Sequence, residues 1–185
     1  MKRFLFVVLF IIPLLLTPAC KEEEEYVPIY EPGPQTYGKG TALKNGKEWY
    51  SSGYAVRSSK NTSYFGIFLD TYTIEGFHRE SVRFSDIYLK KGTYELRKKT
   101  TNIYDGYVSA FYATLADDGD VLEDWYDLEE DAKDNYLEVT AIDTVEQRVE
   151  GRFTGMFEVR QPKRNASNPD RVKFTNSTFS VKIVK

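Results

Sequence analysis

The chain has little of the chemistry that usually marks an enzyme. Among its 185 residues there is one cysteine, Cys20, and one histidine, His78. Zinc sites and others built on nitrogen and sulfur ligands need several such residues, so they are set aside. A serine hydrolase would have to use His78 as its base. No Gly-x-Ser-x-Gly elbow occurs, and nearby Ser81 and Ser85 have no sharp turn to expose a nucleophile. A basic excess is missing too: Lys and Arg number 25 against 28 Asp and Glu. Without Lys2 and Arg3 the count is 23 against 28, a formal −5, which argues against a nucleic-acid partner that needs a basic stripe. Beyond Leu16 there is no long apolar run.

What is present begins at the N-terminus. Lys2 and Arg3 precede an apolar stretch from Phe4 to Leu16, the pattern of a secretory signal too short to span a membrane. Ala19 and Cys20 follow directly, and this resembles a bacterial lipobox. The resemblance implies cleavage after residue 19 and lipidation of Cys20, which also accounts for a lone thiol in an exported chain. Glu22 to Glu25 read as a solvated, self-repelling spacer. Cys20-Lys21-Glu22-Glu23 also resembles the export signal behind the lipidated cysteine of Bacteroidota lipoproteins. That implies an outer-membrane, surface-exposed address. The expected organisation is a signal peptide over 1–19, an acidic then Pro-rich tether over 20–38, and one folded domain over 39–185.

In that domain apolar residues recur with period two. Val149, Gly151, Phe153, Gly155, Phe157 and Val159 alternate with Arg148, Glu150, Arg152, Thr154, Met156 and Glu158, the pattern of a half-buried strand. Gly151 and Gly155 on the apolar side predict a bend, a bulge or a close backbone approach. Asn45-Gly46 predicts a two-residue hairpin with Ala42 opposite Trp49. Asn176-Ser177 predicts a second, pairing Phe174 with Phe179 and Val172 with Val181. Between these ends strands are expected near 53–58, 63–73, 81–89, 93–96, 106–115, 121–126 and 135–142. Turn signals such as Lys91-Gly92, Asp105-Gly106 and Asp118-Gly119 separate them. Only 127–134 reads as a helical turn or two. The fold class is therefore all-β: one antiparallel domain of about ten strands, as a lipocalin-like barrel or a two-sheet sandwich.

Three stretches carry a family resemblance: Asn45-Gly46-Lys47-x-Trp49, the run from Leu137 to Val159, and the ending from Val172 to Ile183. Together they are similar to small Bacteroidota lipoproteins of unknown function, although Ser177 stands where that group has Gly. The resemblance implies an all-β domain and a cell-envelope address, and it brings no catalytic residues.

Candidate chemistry is sparse. Asp117, Asp118 and Asp120 have the Asp-Gly flavour of a calcium loop, but the spacing misses the twelve-residue pattern, so an Asp-Gly hairpin turn is the preferred reading. Glu123 and Asp127 share a strand face with Trp125, a carboxylate pair around an aromatic platform such as sugar-cleaving enzymes use. Glu123, Trp125, Tyr126 and Asp127 are thus candidate glycan contacts, and non-catalytic binding is preferred over hydrolysis. Asp143-Thr144-Val145 resembles the O-glycan acceptor triplet of Bacteroidota envelope proteins, with Thr144 the acceptor. Tyr54, Tyr64, Tyr72, Tyr88 and Tyr112 fall among polar neighbours, as at wet sheet surfaces or barrel mouths. The sequence thus reads as a lipid-anchored, non-catalytic binding domain without a cofactor. Its ligand is a glycan, a small apolar molecule or a partner protein. The alternatives are a carboxylate-based glycan hydrolase and a calcium-dependent adhesion or assembly subunit.

Overall fold

The computed structural model describes residues 37–98 and 107–184. Cys20, Lys21, Glu22 and Glu23 lie outside the described residues, as does the expected turn at Asp105-Gly106. Ten strands follow one another: β1 Gly38–Lys44, β2 Lys47–Arg57, β3 Tyr64–Tyr72, β4 His78–Tyr88, β5 Gly92–Lys98, β6 Val108–Leu115, β7 Leu122–Leu128, β8 Tyr136–Asp143, β9 Arg148–Val159 and β10 Arg171–Val184.

Local chemistry sets the first hairpin as expected. Asn45 (φ 51°) and Gly46 (φ 82°) make the two-residue turn, Lys44 pairs with Lys47, and Ala42 lies opposite Trp49. The helical expectation over 127–134 is overturned. Tyr126 and Leu128 continue the inward alternation of β7, the Glu129 N–H donates to the Met156 carbonyl at 2.8 Å, and a turn follows.

The second expected hairpin is also overturned. Residues 171–184 form one strand, in which Phe174 lies opposite Gly155 and Phe179 opposite Gly151 of β9. Both rings point inward although they are five residues apart, a separation that strict alternation forbids. An extra residue restores the parity: Asn176 takes φ 50° and the register shifts between Phe174 and Phe179, a β-bulge. Ser177 replaces the ladder bonds lost there, its hydroxyl accepting from Phe153 N–H at 2.6 Å and donating to Phe153 C=O. The glycines of β9 serve close approach: a Cβ on Gly151 would sit 2.5 Å from the Phe179 ring, and one on Gly155 would sit 2.8 Å from Phe157.

The sheet closes on itself. Hydrogen-bonded neighbours run β1–β2–β3–β4–β6–β7–β9–β10 and return to β1. β5 and β8 complete the wall where β7 ends, with β5 parallel to the start of β6 and β8 antiparallel to β9. The molecule is therefore a barrel, and every strand has partners on both edges. One end, here the loop end, carries the Asn45-Gly46 turn and segments 73–77, 116–121 and 160–170. The opposite end carries the start of β1 and segments 58–63, 89–91 and 144–147.

Candidate functional site

The interior is occupied by side chains. Tyr112, Tyr126, Phe65, Phe84, Phe153, Phe157 and Phe174 are each less than 2% exposed. Phe174 gathers four of the surrounding rings, Trp49 at 5.1 Å, Tyr112 at 5.4 Å and Phe153 and Phe157 at 5.9 Å, mostly edge to face. Truncating such a ring costs about 3–5 kcal/mol, so these residues are committed to the core. Toward the loop end the buried Glu80 closes the packing: its carboxylate accepts the Trp49 indole N–H at 2.6 Å and pairs with the Lys44 ammonium. A buried carboxylate so paired avoids the penalty of an unsatisfied charge.

On the outer wall, planar side chains stand in a row across the strands. Tyr54 of β2 stacks on Phe68 of β3 at 4.7 Å and 7°, and the Arg83 guanidinium of β4 lies 4.3 Å from the Phe68 ring centre. Arg83 is opposite Phe111 of β6, which stacks on Trp125 of β7 at 4.0 Å and 15°. The Arg160 guanidinium lies 5.2 Å from the Trp125 ring centre. Under this row Asp70 is 3% exposed although it faces outward; it accepts from Ser81 at 2.6 Å and pairs with Arg83 at 3.2 Å and His78 at 3.3 Å. Burial first, then the Asp70 charge and Tyr54, push the Tyr72 hydroxyl up to about 12 against the opposing pull of Arg83. Ser81 donates to the Asp70 carboxylate and accepts from Arg83 at 2.5 Å, so its hydroxyl is engaged by groups other than His78.

Of the expected sugar-site residues, Trp125 and Asp127 stay together, while Glu123 and Tyr126 are engaged elsewhere. Trp125 is half-buried with its ring against Phe111, and its indole N–H donates to Asp127 at 3.0 Å. Asp127 also accepts from two Arg160 nitrogens, Nη2 at 2.7 Å and Nε at 3.0 Å. Burial alone would raise its pKa, but the bonds from Arg160 and Trp125 and the charges of Arg160 and Lys98 bring it below the ordinary value. A general acid needs the opposite shift. Glu123 accepts the side-chain amides of Asn165 at 2.8 Å and Asn168 at 3.0 Å. The assignment of Tyr126 to ligand contact is corrected: alternation turns it inward, 0% exposed, with its hydroxyl donating to Pro169 C=O at 2.9 Å.

The remaining candidates occupy loops. Asp117 pairs with Arg79 at 2.6 Å, Asp118 accepts the Asp120 N–H at 3.2 Å, and among the described residues no three His, Cys, Asp or Glu side chains are gathered as a metal site. This is the Asp-Gly turn preferred from the sequence, with Gly119 at φ 75°. Thr144 is exposed on the turn between β8 and β9. Tyr64 and Tyr88 meet edge to face at 5.3 Å near the opposite end, while Tyr112 is internal.

Sequence reasoning did not single out Phe68, Arg83, Phe111 or Arg160. A signal for one of them was present: Phe68 shares its parity with Gly66, Asp70 and Tyr72, where an aromatic ring must face outward. Seven large apolar side chains are exposed among the described residues, and four of them, Ile74, Phe77 and Val121 on two loops and Leu122 at the start of β7, stand at the loop end. Comparison with family models, with curated proteins and with solved structures finds no match to this chain, so its function is argued from its own geometry.

Proposed function

We propose that the chain is a surface-anchored, non-catalytic binding protein that engages a partner protein with the loop end of its barrel. Lipidation of Cys20 would supply the anchor, and Lys21, Glu22 and Glu23 would route it to the cell surface. The observation that carries the reading is where apolar surface is left exposed. Aromatic residues occupy the barrel interior, and the planar side chains of the outer wall are stacked on one another, whereas Ile74, Phe77, Val121 and Leu122 stand in solvent. Small apolar ligands favour concave, dry pockets, and sugars favour free ring faces; exposed aliphatic side chains beside an aromatic one suit a protein surface. The engaged states of Glu123 and Asp127 support a role without hydrolysis.

Chemical cross-linking of intact cells displaying the full chain tests this. The expected result is a discrete protein adduct that disappears when Cys20→Ala removes the anchor. Absence of any adduct, together with saturable binding of a sugar or fatty acid by the purified chain, would contradict it.

A further inference from the structure

Ile74, Phe77 and Val121, with Leu122 at the start of β7, stand on two loops that the structure braces against each other. In the β3–β4 loop the Thr73 N–H donates to Phe77 C=O at 2.8 Å, Gly76 N–H to Thr73 C=O at 3.0 Å, and Phe77 N–H to the Thr73 hydroxyl at 3.2 Å. In the β6–β7 loop the Ala116 N–H donates to Val121 C=O at 2.9 Å and Gly119 N–H to Ala116 C=O at 2.8 Å. The loops touch: a Cβ on Gly119 would lie 2.7 Å from the His78 nitrogen, and Arg79 reaches across to Asp117 at 2.6 Å. The backbones of such turns are pre-organised, so little backbone ordering entropy opposes their use in binding. Ile74 is 70% exposed, Val121 53%, Phe77 46% and Leu122 38%, and the touching loops place all four at the same tip of the barrel.

The rim of this tip is mainly acidic. Glu75, Asp117, Asp118 and Asp120 are exposed on the same two loops. Two basic side chains adjoin the rim: Arg79, 16% exposed at its side chain and lying against Asp117, and Arg164, whose guanidinium donates to the Leu122 carbonyl at 2.8 Å. An acidic ring around an apolar centre repels an anionic membrane surface and an acidic protein alike, and it attracts the complementary arrangement.

We infer that the tip formed by Ile74, Phe77, Val121 and Leu122 docks on a protein surface with an apolar centre and a Lys/Arg rim. This rests on the protein-binding reading above and specifies the place and chemistry of the contact. The apolar side chains supply the desolvated centre; Glu75, Asp118 and Asp120 steer and orient the encounter.

The test installs a benzophenone photo-cross-linker at Phe77, at Val121 and, as a control at the opposite end, at Val145, in full chains displayed on intact cells. One and the same partner is expected at positions 77 and 121 and not at 145, cross-linked through a segment that mass spectrometry shows to be rich in Lys or Arg. Glu75→Lys with Asp120→Lys should lower the adduct yield roughly tenfold, and added salt should lower the wild-type yield without any substitution. An adduct to lipid, an adduct through an acidic segment, or a yield indifferent to both charge and salt would overturn the inference. So would silence at 77 and 121 when general cross-linking still captures a partner, and in that case the protein-binding reading survives. Silence in both experiments would remove the two together.

Discussion

Asp124 lies in the most acidic stretch of the chain, yet it is 2% exposed and its role is to receive N–H groups. It accepts the Arg164 N–H at 2.7 Å, the Asn165 N–H at 3.3 Å and the Asn168 amide at 2.8 Å, and so ties the segment 160–170 onto the loop end. Burial by itself would raise its pKa; the Asn168 amide, the two backbone N–H groups and the Lys163 charge outweigh that and hold the carboxyl below its ordinary value. A depressed folded-state pKa means stabilisation that is present above the unfolded value, about 3.9, and lost as pH falls through the folded one. Asp124→Ala should therefore cost about 1.5–3 kcal/mol in urea unfolding at neutral pH. The wild-type and variant stabilities should converge as pH drops below the carboxylate range. A cost that is independent of pH would contradict the assignment. From the sequence this residue was one acid among ten between Asp117 and Asp134, because the loop that it binds begins 36 residues later and only the fold brings them together.

Among elements, β10 separates what local pattern conveys from what it does not. Asn45-Gly46 was legible because a two-residue turn is specified by its own two backbones, with φ above zero at both. Asn176-Ser177 carried a similar local signal and means something else. The left-handed Asn176 there inserts one residue and keeps Phe174 and Phe179 on the same side. β4 uses the same device: Asp86 takes φ 64°, and both Phe84 and Ile87, three residues apart, are buried. An odd spacing between core residues with Asn or Asp between them was thus the readable sign, and a hairpin was read in its place. Asn176→Val puts a β-branched side chain at positive φ and should destabilise by about 1–3 kcal/mol, while Asn176→Gly stays within about 0.5 kcal/mol of wild type. Urea midpoints check both. Equal loss in the two variants would mean that the Asn side chain, and not its backbone conformation, matters at the bulge.

For the whole molecule, alternation conveyed an all-β domain but could not choose between barrel and sandwich. Closure depends on pairings between distant segments, such as β1 with β10 and β7 with β9. It also bears on the proposed function, because among the described residues the closed wall surrounds nine buried aromatic rings, and the proposal therefore places recognition on the outside. The aromatic excess was visible in composition, but its division was not: Phe111 meets Trp125 and Phe174 meets Trp49 only in three dimensions. The two tryptophans of the chain report this division. The Trp49 indole is internal, on Glu80, and the Trp125 indole is on the outer wall, on Asp127. The most direct test titrates the ¹⁵N-labelled chain with long-chain fatty acids and flat polycyclic ligands while following both indole N–H signals. The account predicts a Trp49 signal that stays fixed at saturating ligand. A saturable displacement of that signal would show that the barrel opens its interior to ligand, and would contradict it.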